Sequence, residues 1–255
     1  MGLEEMIDEI LNQVQTMTPA LILTLGLAVG LQHAFEPDHI SAVTTQISKR
    51  KYKTLAVKQL LKVGAFKSSI LGALWGAGHT TTLVIIGLLL FLFSINIPSN
   101  IFLGFEFIVG IMLIILALTT FSTKKLFKMK HTHPHLHQNG TLHIHPHNHD
   151  GEHKHTHKSY ILGCIHGLAG SGSLVVLMAS TLGDVETVLS FILIFGIGSV
   201  IGMIIISSLI GLPFALTNKF GTAGKALRYI ACTASLLIGA NILYEIGITE
   251  NLFGI

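Results

Sequence analysis

Two imidazoles and two carboxylates lie within seven residues of one another, between His33 and His39, at the end of a long apolar run. Imidazole and carboxylate together suit a divalent transition metal, because imidazole favours Ni, Cu, Zn or Fe over Mg or Ca. An ionisable group inside a membrane span costs roughly 3 kcal/mol and is by default a functional residue. We therefore predict that His33, Glu36, Asp38 and His39 contribute to a metal site. The alternative is a cytoplasmic helix end with incidental polar residues.

The spacing of these residues requires a break in the helix. On a continuous helix, Asp38 would lie about 140° and His39 about 240° around the axis from His33, so the three could not face one ion. Pro37 removes the backbone hydrogen bond to the carbonyl of His33 and kinks or breaks a helix at that point. We expect this break to bring the ligand side chains together and to free backbone carbonyls that line a cavity.

Two further histidines, His79 and His166, lie within apolar segments. His79 follows the small residues Gly76 to Gly78, which would let a neighbouring helix approach closely. We predict that His79 is the fourth ligand. His166 lies near one end of its segment, where interfacial water explains an imidazole as well as a metal does, and we keep it as a candidate ligand.

An internal repeat relates the two halves of the chain. The first and fourth apolar segments align at Gly30 and Gly163, and a histidine follows each glycine by three residues. The second and fifth segments align at Gly76 and Gly196, where each begins a glycine-x-glycine motif followed by a polar residue. Halves of three spans run in opposite directions, which is a transporter architecture with the substrate site where the halves meet. We predict a 3+3 inverted repeat; the alternative is glycine-rich helix packing alone.

The composition of the 255-residue chain indicates an integral membrane protein. Hydrophobic residues make up 50% and charged residues 11% of the chain, whereas soluble domains are about 25% charged. We therefore expect no nucleic-acid partner and no disulfide scaffold. The chain also lacks the H-E-x-x-H motif of a metalloprotease and the Walker motif of an ATPase. We predict that the protein is not an enzyme.

Six apolar stretches are long enough to cross a hydrocarbon core of about 30 Å, which needs roughly 20 residues per helix. They run from Thr18 to Phe35, Ser69 to Phe93, Ile101 to Phe121, Tyr160 to Leu182, Val188 to Leu212 and Ala226 to Gly247. We predict an all-α integral membrane protein with six transmembrane helices.

The basic residues orient these six spans. All 16 Lys and Arg residues lie in the connections that follow the first, third and fifth spans or, for Arg228, at the adjoining end of the sixth span. The positive-inside rule places those connections in the cytoplasm. We predict a multi-pass protein of the plasma (inner) membrane with both termini extracytoplasmic.

Four regions follow from this topology. Residues 1–17 form an acidic extracytoplasmic segment without the basic region of a signal peptide. Residues 18–122 form the first three-helix half; its basic cytoplasmic connection, 48–68, is either an amphipathic helix on anionic lipid or a solvated linker. Residues 123–159 form a cytoplasmic loop, and residues 160–255 form the second three-helix half.

Histidines are concentrated in the cytoplasmic loop. Eleven of the 15 histidines lie between His131 and His157, where many alternate with other residues, a pattern typical of flexible metal-binding tracts. The tract has too little apolar surface to fold alone, so we predict that it is disordered without metal. It would buffer or sense metal, and most of its histidines should be individually dispensable. The alternative is a polar spacer.

The segment around His33 resembles the signature of the nickel/cobalt transporter family, H-x4-D-H in a transmembrane helix, which here is His33, Asp38 and His39. The segment from Leu71 to Thr80 is similar to the family's next motif, a glycine-rich helix with a histidine followed by hydroxyl residues. The resemblance covers the membrane-embedded parts of the chain. It implies secondary transport of Ni²⁺ or Co²⁺ as substrate, with the three signature residues and His79 at the metal site.

Two features separate this chain from many importers of the family. Its six predicted spans, rather than eight, resemble the shorter members near urease accessory and nickel-efflux proteins. Its histidine-rich loop also resembles the efflux branch. That branch commonly has glycine where this chain has Asp38, so the first motif is more similar to the uptake members.

We therefore expect a Ni²⁺/Co²⁺ permease for uptake, without a resident cofactor. An inside-negative potential favours entry of a divalent ion by about 4.6 kcal/mol per 100 mV. Efflux through the same site and zinc transport are alternatives. A membrane thiol oxidoreductase would need Cys164 and Cys232 to meet, although they are not at equivalent positions of the repeat. The expected partners are a divalent transition-metal ion, the lipid bilayer and, as a candidate, a cytoplasmic metallochaperone; the oligomeric state stays open.

Overall fold

The computed structural model describes residues 19–50, 56–93, 98–122, 131–136, 142–147, 155–169, 185–217 and 220–252. Within these ranges the chain forms seven α-helices and a two-stranded hairpin. The helices are α1 Pro19–His33, α2 Pro37–Ser48, α3 Val57–Phe93, α4 Ser99–Phe121, α5 His155–Gly167, α6 Val185–Thr217 and α7 Gly221–Tyr244. The strands are β1 His131–Leu136 and β2 Leu142–His147. A π-helical turn, Glu245–Thr249, extends α7.

Four helical ranges are long and apolar enough to cross a membrane: Val57–Leu89, Asn100–Phe121, Glu186–Thr217 and Gly221–Thr249. Helices α1 and α2 together make a fifth candidate, bent by 52° at the break between them. The prediction of a helical, multi-pass membrane protein is confirmed, whereas the described residues contain four or five candidate spans rather than six. Helix α5 covers only the beginning of the predicted span Tyr160 to Leu182, and residues 170–184 lie outside the described part.

The break between α1 and α2 falls at the predicted proline. Helix α1 ends at His33, and α2 begins at Pro37. At the first position of a helix the N–H has no intrahelical partner, so a proline there costs no helical hydrogen bond. The proline ring disfavours helical geometry in the preceding residue, and Glu36 accordingly has φ −62° and ψ 144°. The backbone amide of Glu36 donates to the carbonyl of His33 at 3.1 Å. The predicted helix break is confirmed.

Helix α3 is a continuous helix of 37 residues. At 1.5 Å per residue it is about 55 Å long, which exceeds a hydrocarbon core of about 30 Å. The predicted connection 48–68 therefore overlaps the beginning of α3 at Val57, and residues 51–55 lie outside the described part. From Val57 onward this connection is helical and continuous with the second span.

Helices α3 and α6 pack against each other along much of their length at the centre of the bundle. The short helices pack across the two halves: α1 contacts α6, and α5 contacts α3. Helix α4 pairs with α7, and α2 contacts α7, α6 and α4. Side chains such as Trp75, Leu113 and Met203 are buried in the core, while Ile205 and Leu209 are exposed in positions suited to lipid contact.

The histidine-rich loop contains the hairpin, in which β1 and β2 are antiparallel. The register sets three histidine pairs opposite each other: His131 with His147, His133 with His145, and His135 with His143. Residues two apart in a strand share a face, so these six positions lie on one face of the hairpin. We expected the whole loop to be disordered, whereas these two strands form a hydrogen-bonded backbone ladder. The other loop residues before α5, and the predicted segment 1–17, lie outside the described part.

Candidate metal site

Five predicted ligand residues come together at the break between α1 and α2. His33 is the last residue of α1, and Asp38 and His39 lie in the first turn of α2. Helix α3 contributes His79, and α5 contributes His166. All four imidazoles are buried, the most exposed being His33 at 8%. We name these five residues the His/Asp cluster.

The imidazole rings lie in close contact. The ring centroid of His33 is 4.5 Å from that of His39 and 5.1 Å from that of His79. The ring of His166 lies 4.1 Å from His39 on the side of Asp38. Two groups have ligand atoms within 4.8 Å of one another. The first group is His33, His39 and His79, and the second is Asp38, His39 and His166.

The carboxylates hold the imidazoles by hydrogen bonds. Nδ1–H of His33 donates to Oε1 of Glu36 at 2.8 Å. Asp38 accepts at both oxygens, from Nδ1–H of His39 at 3.1 Å and from Nε2–H of His166 at 2.8 Å. Metal-binding histidines usually donate their second ring N–H to a carboxylate or carbonyl, which fixes the ring orientation. The cluster has this arrangement in three of its four histidines.

The opposite nitrogens of these three rings are available for a ligand. Nε2 of His33, Nε2 of His39 and Nδ1 of His166 are buried and have no hydrogen-bond partner among the described residues. A buried polar atom without a partner costs about 1–3 kcal/mol. A divalent ion would satisfy such nitrogens, and a set of imidazoles with one carboxylate suits Ni²⁺ or Zn²⁺. Metal binding by the cluster stays a prediction.

Glu36 differs from the other predicted ligands. Its side chain is 51% exposed, and it belongs to neither group of three ligand atoms. Its carboxylate contacts Nδ1 of His33, which is the ring nitrogen opposite the unpartnered one. The geometry is that of a residue that orients His33 from the edge of the site.

Two aromatic side chains that the sequence analysis did not single out pack against the cluster. The ring of Phe195 on α6 lies 5.4 Å from His33, and the ring of Trp75 on α3 lies 5.3 Å from His166. Both aromatic residues are buried. Each immediately precedes the first glycine of a glycine-x-glycine motif, so the internal alignment contained a signal that could have found them.

Close helix contacts position the two helices that carry His33 and His166. A Cβ atom at Gly30 would collide with the carbonyl oxygen of Phe195, and a Cβ atom at Gly163 would collide with that of Trp75. Only glycine allows the backbones to approach so closely. The contacts set α1 against α6 and α5 against α3 at equivalent positions of the aligned segments.

The second glycine of each motif has the same relation. A Cβ atom at Gly78 would collide with the carbonyl oxygen of Tyr160, and one at Gly198 with that of Leu27. Tyr160 and Leu27 each lie three residues before the aligned glycine of their own helix. Four glycine contacts therefore form two equivalent pairs.

The threonines that follow His79 join helices. The hydroxyl of Thr80 donates to the carbonyl of Gly196 on α6 at 3.2 Å, and the hydroxyl of Thr82 donates to the carbonyl of Cys164 on α5 at 3.1 Å. These two hydroxyls connect α3 to its neighbours and help to fix the position of the helix that carries His79.

The chain is 36% identical over 232 residues to the urease accessory protein UreH of Bacillus sp. (strain TB-90). The match covers 91% of this chain and 94% of that protein. The chain belongs to the UreH family. This membership confirms the predicted relationship to the urease-accessory members of the nickel/cobalt transporter family. No protein-family model and no solved structure matches the chain.

Membership in the UreH family also bears on the class of protein. The relative is an accessory protein, and the described helices form an apolar bundle. The chain is therefore a multi-pass membrane protein of the family to which that accessory protein belongs.

Proposed function

We propose that this UreH-family protein transports Ni²⁺ into the cell across the plasma membrane, with the His/Asp cluster as its intramembrane site. The observation that carries the proposal is that five ligand-type side chains, from four helices, form two overlapping groups of three beside a helix break. The relationship to a urease accessory protein supports nickel as the substrate. Co²⁺ is a second substrate that the same donor atoms would accept.

The cluster has the chemistry needed to bind a hydrated ion and release it again. Neutral imidazoles replace water ligands without adding charge, and Asp38 supplies one negative charge against the two positive charges of the ion. The ion is the substrate, so no resident cofactor is proposed. The membrane potential, at about 4.6 kcal/mol per 100 mV for a divalent ion, favours uptake.

We also propose that the protein has six spans arranged as two inverted repeats, 18–122 and 160–255. Each half's short histidine-bearing helix packs against the glycine-x-glycine helix of the other half. His33 meets the aromatic residue before that motif in the second half, and His166 meets the one in the first half. Such reciprocal contacts are expected when a two-fold axis in the membrane plane relates two halves.

The orientation follows from the basic residues. With all Lys and Arg in or directly beside three connections, we propose that these connections are cytoplasmic and that both termini, including residues 1–17, are outside. The histidine-rich loop 123–159 then lies at the cytoplasmic end of the pathway, where it would bind nickel and pass it to a metallochaperone. The three opposed histidine pairs in the register of β1 and β2 support metal binding by this loop.

Elemental analysis of cells tests the proposed function. Cells expressing the chain should contain more nickel than cells without it, and His33→Ala should abolish the increase. Thr24→Ala is the matched control, because Thr24 is exposed on the same helix and its hydroxyl donates to Ala20 of that helix. A decrease that depends on His33 would assign efflux instead. Equal nickel in cells with the chain and with His33→Ala would remove the cluster from transport.

Competition between metals tests the substrate. Nickel uptake should persist in the presence of an equal concentration of Zn²⁺. The test is needed because affinity alone ranks Zn²⁺ close to Ni²⁺ for such donor atoms. If zinc completely inhibits nickel uptake and itself accumulates, the zinc-transporter alternative is favoured.

A further inference from the structure

We propose that the His/Asp cluster offers the ion two overlapping positions that share His39 and cannot be occupied together. The inference rests on the proposed function, because it concerns how the same site passes its ion onward. The imidazole position consists of His33, His39 and His79. The aspartate position consists of Asp38, His39 and His166.

The five side chains do not form one compact ligand set. Metal–nitrogen bonds are about 2.1 Å long, so two ligand atoms of one ion are at most about 4.2 Å apart. Among the described residues, the groups whose ligand atoms approach this limit contain three members each. The rings of His79 and His166 are 6.3 Å apart, compared with 4.1 Å for His39 and His166. An ion would therefore bind one group at a time.

His39 prevents simultaneous occupation of the two positions. A neutral imidazole has a lone pair on one nitrogen and a proton on the other. Nδ1 of His39 is the nitrogen beside Asp38, at 3.1 Å from Oδ1, whereas Nε2 is buried and has no hydrogen-bond partner in the described part of the chain. We assign Nε2 to the imidazole position and Nδ1 to the aspartate position. Because only one of the two carries a lone pair at any time, only one ion can bind.

Asp38 acts differently in the two positions. When the ion is at the imidazole position, Asp38 orients His39 and His166 through the hydrogen bonds seen in the structure, as Glu36 orients His33. When the ion is at the aspartate position, the carboxylate itself is a ligand. Exchange between the positions thus moves the ion from ligands of the first half to a set that includes His166 of the second half.

Binding stoichiometry tests this arrangement in the full-length protein. The purified chain is equilibrated with Ni²⁺ alone, and bound nickel per chain is measured by elemental analysis for wild type and variants. Loop histidines are unchanged throughout, so differences between variants report the cluster. Thr24→Ala is the control for handling, and gel-filtration profiles exclude variants that do not fold.

The expected result is a specific pattern of losses. His39→Gln should lose about one ion per chain, because a single lone pair serves both positions. His33→Gln and His166→Gln should each retain that ion, since each leaves the other position intact, and the double variant should lose it. Loss of two ions in His39→Gln would show independent sites. Loss of the ion in both single variants would show one undivided site. Either result overturns the proposal.

Nickel uptake into proteoliposomes, measured on the same preparations, separates this inference from the proposed function. Both single variants should bind nickel but take up at least tenfold less than wild type, because exchange needs both positions. If His166→Gln takes up nickel as fast as wild type does, the two-position proposal is overturned while the transport function stays in place. If the variants show the expected binding pattern but wild-type protein takes up no nickel, the two positions are supported and the transport function is overturned.

Discussion

Helices α1 and α5 make equivalent contacts with opposite halves of the molecule, yet they differ in the residues that follow. In each helix, a glycine lies against the backbone carbonyl of an aromatic residue in the other half, and a histidine lies against the ring of that same residue. Helix α1 is followed by a proline break and by Asp38 and His39, whereas the sequence between α5 and α6 contains no proline and no histidine. On α6, Ser199 stands where α3 has His79. The packing is therefore repeated in both halves, while four of the five proposed ligands belong to the first.

The difference between the halves teaches that a symmetric scaffold can hold an asymmetric site. Close packing requires small residues at set spacings, and both halves meet that requirement. A metal site needs particular donor atoms close together, and the proposed set takes four residues from the first half and one from the second. We expect substitutions that affect packing to act alike in both halves and substitutions that affect ligands to act differently.

The largest difference is expected between His79→Gln and Ser199→Ala, which alter equivalent positions. His79→Gln removes a proposed ligand. Loss of a group that only orients a ligand typically lowers metal affinity or activity by about 10- to 100-fold, so we expect nickel uptake to fall by about 100-fold. Ser199→Ala should stay within about threefold of wild type, because a buried hydroxyl without a described partner contributes little. Uptake into proteoliposomes measures both. Similar losses in the two variants would remove the proposed asymmetry.

The equivalence of packing is tested by Gly30→Val and Gly163→Val. Each side chain would meet a backbone carbonyl of the other half, which cannot move without shifting a helix. Overpacking costs about 1–3 kcal/mol, so both variants should unfold at lower temperature than wild type in detergent. Gly104→Ala is the control, since a Cβ there meets nothing within 4 Å. Tolerance of one substitution and not the other would contradict reciprocal packing.

The aromatic pair should show a smaller and more equal effect. Phe195→Leu and Trp75→Leu each remove a ring beside a histidine of the cluster. Such ring contacts contribute about 0.5–1.5 kcal/mol, which corresponds to roughly 2- to 12-fold. We expect nickel uptake to fall within this range in both variants, with similar amounts of folded protein. No loss in either variant would show that the rings only fill space.

Glu36→Gln should have the smallest effect of these changes. Its carboxylate is half exposed, and exposed ion pairs contribute about 1 kcal/mol or less. We expect nickel affinity to fall by at most about fivefold. A loss as large as that of Asp38→Asn, measured side by side by equilibrium dialysis, would make Glu36 a direct ligand instead.

Local features of the site could be predicted from the sequence because they depend on short-range chemistry. Pro37 fixes the helix break through its missing N–H and its ring, and the apolar runs on either side define the helices. The alignment of Gly30 with Gly163 indicated equivalent positions in the two halves, and both glycines lie against a backbone carbonyl of the other half. The ligand types in the segment from His33 to His39 were evident without any coordinates.

Other features depend on distant parts of the chain and had no local signal. The contact of Asp38 with His166 joins residues 128 positions apart, and no periodicity specifies it. In the basic connection α3 packs on α6, where Leu60 and Ala215 are buried in one cluster, and no local pattern specifies this contact. Hairpin formation in the loop depends on the pairing of two strands, neither of which has a strong strand signal by itself. The repetitive histidine-rich sequence does not indicate their register.

Nickel uptake into proteoliposomes by wild type and by Asp38→Asn tests the central claim most directly. Asparagine has nearly the same shape as aspartate, so it preserves the packing at the helix break while removing the charge that faces His39 and His166. If the His/Asp cluster is the transport site, wild-type protein takes up nickel and Asp38→Asn loses most of that activity. Equal uptake by the two proteins would contradict the account, because the ion would then cross the membrane without the carboxylate of the cluster.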